Sequence, residues 1–551
     1  MTDTLAVALA QINPTVGDIG GNVERLRTAR TAAPEADLVV SGELVLSGYP
    51  PEDLVLKRLF QERIEAAVAA LADDTRNGGP ALLVGAPWRQ DGRLHNAALL
   101  LDGGTVAAVV LKHELPNYGV FDEVRVFTPG PLPEPVLFRG ARLGVMVCED
   151  MWKPSVSRHL RDRGADVMVV LNGSPFDLEK WGVRRRMAQE RVAEVGVPLI
   201  YVNLVGGQDE LVFDGASFVL AADGSFQVQA PEWCVGVVPT VWRRSEAGWA
   251  CEPGVVARRA EGLEAIYQAM VVGLRDYVGK NGFPGVVIGL SGGIDSALTA
   301  VVAVDALGPE RVRCLMMPSP FTSQVSLEDA GLVADRLAVR LDRVDITPAM
   351  TAFDGMLQDL FAGLEPDTTE ENIQARVRGI VLMAVSNKFG HMVLTTGNKS
   401  EMSVGYSTLY GDMCGGFSVL KDVYKTTVFA LTRWRNAVRP QGMLGPDGVV
   451  VPERILSRPP TAELKEGQTD QDSLPPYEEL DAILHRLIED EQSVAEVVAA
   501  GFDEATVRRT WRMLDRAEYK RRQAPPGVKI TDRAFGRDRR YPITNRFING
   551  I

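Results

Sequence analysis

The chain has 551 residues and a formal charge of −13, with 46% apolar, 24% charged and 7% aromatic residues. That profile excludes a mainly disordered, collagen-like or coiled-coil protein and leaves room for two large domains. The acidic balance disfavours non-specific nucleic-acid binding, and five widely spaced cysteines (Cys148, Cys234, Cys251, Cys314, Cys414) without a CxxC predict a reducing, cytoplasmic setting rather than a disulfide scaffold or a thiolate zinc site.

The opening MTDTLAVALAQINP lacks the basic segment and long apolar core of a signal peptide, and no apolar run nears the length of about 18 residues needed to span a bilayer. Short strand-like runs follow in order: 5–10, 36–40, 81–87, 95–101, 105–111, 142–148, 166–172 and 197–203. Helix-like segments at 51–72 and 177–195 lie between some of them, and the DGG turn at 102–104 predicts an antiparallel pair in a mixed sheet. Residues 204–255 have Gly, Pro and Trp and no long helix, and read as the end of the first domain and a connector. Near 258 the pattern changes to a long amphipathic helix ending at Gly282, then strand–helix alternation through 285–290, 312–318, 326–338, 341–346, 369–389 and 391–397. Such alternation predicts a doubly wound parallel sheet. Residues 438–476 read as a long loop, and the tail from 477 as helical and then basic. The expected domains are 1–250 and 258–551.

The turn GLSGGIDS (Gly289, Leu290, Ser291, Gly292, Gly293, Ile294, Asp295, Ser296) follows a strand and opens a helix. Its glycines let backbone N–H groups approach an anion, and the helix N-terminus adds partial positive charge. No GxxxxGK[ST] is present, and the turn alone would equally suit a strand-to-helix connection capped by Asp295. SGGxDS after a strand resembles the pyrophosphatase loop of the N-type ATP pyrophosphatases. A carboxylate such as Asp295 repels phosphate unless a cation, here Mg2+, lies between them.

In the first half, Glu43, Lys112 and Cys148 each sit at or beyond the end of an apolar strand. A thiol needs a base and a neighbouring cation to attack an amide. Each residue alone has an ordinary explanation in core or surface. Together, in this order, they resemble the nitrilase (carbon–nitrogen hydrolase) superfamily over residues 4–240, which implies Glu43 as general base, Lys112 as oxyanion stabiliser and Cys148 as nucleophile, with Glu123 a second carboxylate. The family often has Pro before the base; here it is Gly42. The five histidines (His95, His113, His159, His391, His485) show no metal spacing, and the residues around Cys148 offer no nucleophile elbow for a His-dependent glutaminase.

The two halves joined, with LPNYGVFDE, NGSPF, EENIQARVRG, LTTGNKSE, VGYSTLYGDMCGGFSVLKDVYKT and EYKRRQ, resemble the glutamine-dependent NAD+ synthetases along nearly the whole chain. The resemblance implies an α/β protein: an α-β-β-α sandwich with a mixed sheet, then a doubly wound parallel sheet of the adenine nucleotide alpha hydrolase type. It implies glutamine hydrolysis in the first domain and ATP-dependent adenylation of deamido-NAD, then amidation by the released ammonia, in the second, with a sealed path between. Carried over with it, Tyr118, Ser174 and Lys180 hold glutamine; residues 289–296 and Thr396 bind ATP; Asn372, Glu401 and Lys520 contact deamido-NAD; Asp295 and Glu401 hold Mg2+; and Lys425 meets a phosphate. The basic tail (Lys520, Arg521, Arg522, Lys529, Arg533, Arg537, Arg539, Arg540, Arg546) suits an anionic dinucleotide or a solvated or subunit-facing segment. The expected partners are small molecules and a second copy of the chain, with neither nucleic acid nor membrane. Two rival readings stay open at this point: an amide or nitrile hydrolase with a nucleotide-sensing second domain, and a ligase with another acceptor.

Overall fold

A computed structural model describes residues 3–547. The chain divides into two compact units, Met1–Ala260 and Glu261–Ile551. Among the described residues no helix is long and apolar enough to cross a membrane.

The first unit stacks two sheets. One has seven strands in the order Gly248–Cys251, Gly236–Ser245, Thr4–Gln11, Leu38–Val40, Ala81–Gln90, Arg93–Asp102 and Thr105–Leu111. The other has six, in the order Phe226–Gln229, Phe218–Leu220, Leu199–Asn203, Val167–Asn172, Ala141–Val147 and Val136–Phe138. The period-2 pattern of Thr4–Gln11 shows why they stack. Leu5, Val7 and Leu9 point between the sheets with Val145, Val147, Val169 and Leu171, while Ala8 and Ala10 face the helices Ile19–Thr31 and Arg58–Asp74. The helices Pro154–Asp162 and Lys180–Val195 cover the outer face of the second sheet through Val156, Leu160, Ala188 and Val192. The turn at Gly103 and Gly104, both left-handed, joins an antiparallel pair, as the DGG signal predicts.

One expectation fails here. Residues 204–255 are no connector: they carry six strands, and Gly236–Ser245 pairs antiparallel along the whole of Thr4–Gln11, from Thr4 opposite Arg243 to Gln11 opposite Gly236. A strand whose partner is more than 200 residues away, with Pro239 inside it, carries little local signal.

The second unit has an all-parallel five-stranded sheet in the order Arg340–Arg343, Val312–Met316, Val286–Gly289, Met392–Thr395 and Phe417–Ser418. Chain order runs outward from Val286–Gly289 in one direction, then returns to its other side. The crevice between Val286–Gly289 and Met392–Thr395 is therefore the switch point where such sheets bind ligands. Leu263–Lys280, Ile294–Leu307 and Lys425–Ala437 pack on one another, Thr368–Phe389 packs through Val377 and Leu382 against Val287, Leu315 and Val393, and a helical cluster from Tyr477 to Arg521 surrounds Leu480, Leu484, Val507 and Leu514.

Candidate functional site

In the first unit, Glu43, Lys112 and Cys148 converge from three strand ends. Lys112 follows Thr105–Leu111 directly, Cys148 follows Ala141–Val147, and Glu43 lies just beyond Leu38–Val40. The Lys112 ammonium donates to Glu43 Oε1 at 2.7 Å and to Glu123 Oε1 and Oε2 at 2.8 and 2.9 Å. All four residues are buried. The other Glu43 oxygen, Oε2, accepts the Gly173 N–H at 2.9 Å. Gly42 explains its departure from Pro: a Cβ there would stand 2.7 Å from the Asn172 carbonyl oxygen, and the Glu43 N–H donates to that same oxygen.

Burial and Glu43 push the Cys148 thiol well up, against the pull of Lys112. Burial thus favours the thiol over a thiolate paired with the cation. Lys112 is held charged well above its ordinary range; burial opposes this, and Glu123 and Glu43 outweigh it. Burial raises Glu123 to about 7, against Lys112 and with Glu43.

No elbow is predicted around Cys148, yet its φ is +46°, a left-handed turn between the strand and the short helical turn Cys148–Trp152. Asp150 maintains it without flanking glycines. Its Oδ2 accepts the Val147 N–H at 3.0 Å, and its Oδ1 accepts the N–H groups of His113 and Glu114 at 3.0 and 2.8 Å. One carboxylate thus ties the Cys148 turn to the segment after Lys112.

The three expected glutamine contacts surround this cluster differently. Tyr118 is half-exposed; its hydroxyl donates to Glu149 at 2.9 Å and its ring meets Phe121 edge-on. Lys180, which opens the helix Lys180–Val195, places its ammonium 5.9 Å from the same Phe121 ring and 5.1 Å from Trp152. Ser174 is buried: its N–H donates to Asn203 and its Oγ accepts from Arg184 Nε at 3.0 Å. Arg184, fully buried and paired with Asp214 at 2.7 Å, was not apparent in the sequence, where it is one of three consecutive arginines.

In the second unit, the glycine turn lines a cavity of about 310 Å³ at the switch point, together with Thr396, Glu401 and Lys425. All of residues 289–296 face it. Gly292 has φ +82°, and a Cβ there would lie 2.3 Å from the Ser326 carbonyl, so only glycine fits. Ser291 and Ser296 hold the turn: the Ser291 N–H donates to Ser296 Oγ, which donates to the Gly293 carbonyl.

Asp295 is not a cap, since Gly293 caps the helix without a side chain. Its Oδ2 accepts from Lys425 Nζ at 2.5 Å, and its Oδ1 from Asn398 at 2.9 Å. Lys425 also donates to Glu401 at 3.0 Å. Asn398 caps the helix Lys399–Val404 through the Glu401 N–H, so the TGNKSE turn brings Asn398 to Asp295 and Glu401 to Lys425. Burial raises Glu401 to about 7, with Lys425 pulling the other way. Lys425 is raised, with Asp295 and Glu401 overcoming burial.

Asn372 and Lys520 do not line this cavity. Both brace the loop beside it: Asn372 accepts from Thr408 Oγ1 at 2.9 Å, and Lys520 donates to the carbonyls of Gly405 and Ser407 at 2.7 Å each. Cavity-lining Arg378 was missed, although it lies in the quoted EENIQARVRG string; burial pushes its guanidinium down, and its Nε donates to the Met317 carbonyl. The basic tail is largely spent internally. Arg521 and Arg539 pair with Glu518, Lys529 with Asp538, and Arg533 with Glu491.

Known proteins agree with this two-part layout. Residues 6–241 match the carbon–nitrogen hydrolase family and residues 266–524 the NAD synthase family. The chain is 52% identical over 549 residues, 99% of each chain, to a glutamine-dependent NAD(+) synthetase of Rhodobacter capsulatus. It is 45% identical to that of Xanthomonas campestris, over 99% of this chain and 98% of the relative. The solved glutamine-dependent NAD+ synthetase of Acinetobacter baumannii, in complex with ADP, superposes with a TM-score of 0.78 at 42% identity over 98% of both chains. At such identity along its whole length, the chain belongs to the family of glutamine-dependent NAD(+) synthetases.

Proposed function

We propose that the chain makes NAD+ from deamido-NAD, ATP and glutamine, with one reaction in each unit. The observation that carries this reading is a buried lysine between two carboxylates in each unit, beside a cysteine in the first and a phosphate-binding turn in the second.

In the first unit Cys148 Sγ attacks the side-chain amide of glutamine while Glu43 takes the thiol proton and passes it to the departing ammonia. Lys112 balances the negative charge on the tetrahedral oxygen, and Glu43 then activates the water that frees glutamate from the thioester. Tyr118, Ser174 and Lys180 hold the glutamine. Support for the proton path comes from the raised thiol and from Glu43 Oε2, which has one backbone donor against two on Oε1.

In the second unit the nicotinate carboxylate of deamido-NAD attacks the α-phosphorus of ATP, releasing pyrophosphate; ammonia then displaces AMP from the acyl-adenylate. Residues 289–296 and Thr396 receive ATP, which the inward turn and the start of helix Ile294–Leu307 support. Lys425 meets a phosphate, Glu401 contacts the dinucleotide, and Asn372 and Lys520 serve it through the loop they brace.

Mg2+ is assigned to Asp295 and Glu401. Among the described residues no group of three or more His, Cys, Asp or Glu could hold a metal. Two carboxylates facing a phosphate-binding cavity do fit Mg2+, which takes one or two carboxylates and completes its shell with phosphates and water. Bound there with ATP, it would neutralise phosphate charge. Five free cysteines support a cytoplasmic setting. Exposed Met356, Leu360, Leu364, Ile380 and Phe389, on and around the helices Thr347–Leu357 and Thr368–Phe389, support pairing of two copies through the second unit.

The test is incubation with ATP, Mg2+, deamido-NAD and glutamine, and separately with ammonium. NAD+, AMP and pyrophosphate should form with either nitrogen source. Glutamine hydrolysis without AMP release under any condition would contradict the reading.

A further inference from the structure

Asn96 has none of the roles described above, yet it touches both carboxylates bound to Lys112. It is fully buried in the strand Arg93–Asp102. Its side-chain NH2 donates to Glu43 Oε1 at 2.8 Å and to Glu123 Oε2 at 3.3 Å. Its backbone carbonyl accepts the Lys112 N–H at 2.8 Å. The opposite amide orientation would turn oxygen lone pairs on two carboxylates, so chemistry fixes the NH2 on this side. Among the described residues the buried amide oxygen Oδ1 finds no hydrogen-bond partner, a cost accepted for that orientation.

We propose that Asn96 is a positioning residue of the glutaminase site, whose neutral amide donates to both carboxylates around Lys112, favours the anionic form of Glu43 and leaves its Oε2 as the oxygen that accepts the Cys148 proton. The inference rests on the reading of Cys148 as nucleophile and Glu43 as base.

Two buried carboxylates about one ammonium carry a net negative charge, and the usual relief is for one of them to take up a proton. A protonated Glu43 is no base. Burial already raises Glu123 to about 7. A group that donates one hydrogen to each carboxylate lowers the proton affinity of both without adding charge. On Glu43, the donors Lys112 and Asn96 both go to Oε1, while Oε2 receives the Gly173 N–H.

The other groups facing the cluster are accounted for. The Tyr49 hydroxyl donates to Glu123 at 3.4 Å; Cys148 and Glu149 lie on the adjoining turn, with Glu149 engaged by Tyr118. Asp150 is taken up by three backbone N–H groups, and the neighbouring His95 ring bonds the Thr128 carbonyl.

The experiment is the pH dependence of kcat/KM for glutamine hydrolysis in the full-length wild type, Asn96→Ser, Asn96→Asp and Cys148→Ala, with thermal melts to establish folding. Loss of the donor should move the acid limb to higher pH by about one unit in Asn96→Ser and further in Asn96→Asp, which adds a third carboxylate. Activity then falls about tenfold below the wild-type limb and recovers at high pH. A folded variant of either kind whose limb stays at the wild-type pH, with activity unchanged or lowered equally at every pH, overturns the proposal. An inactive Cys148→Ala beside an active wild type keeps the underlying reading intact whatever Asn96 does; a wild type that hydrolyses no glutamine, or a fully active Cys148→Ala, removes both.

Discussion

Lys112 and Lys425 make an instructive pair. Each is a buried ammonium between two carboxylates, Glu43 and Glu123 in one unit, Asp295 and Glu401 in the other. Around Lys112 the side chains are 0% exposed for Lys112 and Glu43 and 7% for Glu123, and a thiol lies alongside. Around Lys425 both carboxylates are 17% exposed and open on a cavity that the rest of the glycine turn also lines. The same three charges therefore serve different chemistry. Enclosed beside sulfur, on the proposed reading, they hold a base ready and supply a cation for the oxygen of an attacked amide. Opened on a cavity beside the glycine turn, they would form the charged wall of the proposed nucleotide site, with the lysine available to phosphate.

The largest test of that contrast is Cys148→Ala. Glutamine-driven NAD+ formation should fall at least about a thousandfold, while ammonium-driven formation stays near wild type. Loss of both activities in a folded protein would merge the two sites into one. Asp295→Asn should lower NAD+ formation from either nitrogen source about a hundredfold or more and leave glutamine hydrolysis measurable, read by separate assays of glutamate and NAD+.

The lysines themselves should separate in stability. Lys112→Met leaves two enclosed carboxylates uncompensated and should cost about 3–5 kcal/mol in denaturant unfolding. Lys425→Met should cost less, because its carboxylates reach the cavity. Equal losses would show that enclosure is not what distinguishes the two.

A finer test is Glu123→Gln. Glu123, raised to about 7, gains its proton as pH falls through that value, and as an anion it repels the neighbouring Glu43 carboxylate. Removing its charge should shift the acid limb of glutamine hydrolysis to lower pH, opposite in sign to Asn96→Ser, with a lower plateau because Lys112 loses a partner. The smallest effect belongs to Lys520→Ala. Its ammonium does not itself line the cavity and acts through the carbonyls of Gly405 and Ser407, so KM for deamido-NAD should rise only about threefold to tenfold.

Much of this was legible in the residues. Thr105–Leu111 and the helix Thr368–Phe389 follow directly from apolar runs and capping signals, and the glycine turn and the strand-end positions of Glu43, Lys112 and Cys148 follow from short patterns. What escaped has a common physical character. Gly236–Ser245 forms only because Thr4–Gln11 awaits it across the chain, and Pro239 masks it locally. Helix Thr347–Leu357 has no fully buried residue and packs on the core only through the partly buried Ala349, Met350 and Phe353. Asp150, Asn96 and Arg184 act by hydrogen bonds to partners ten or more residues distant or to backbone, and side-chain type alone does not reveal such bonds. The basic tail misled because composition counts charges without their partners: Glu518 alone takes up Arg521, Arg522 and Arg539.

The central claim is that nitrogen released at Cys148 becomes the carboxamide of NAD+ made over the 289–296 turn. The most direct measurement supplies wild-type protein with ATP, Mg2+, deamido-NAD and glutamine labelled with nitrogen-15 in its side-chain amide, and reads the product by mass spectrometry. The account predicts label in the NAD+ carboxamide, one for each AMP released, and none from Cys148→Ala. Unlabelled NAD+ from wild type, or labelled NAD+ from Cys148→Ala, would contradict it.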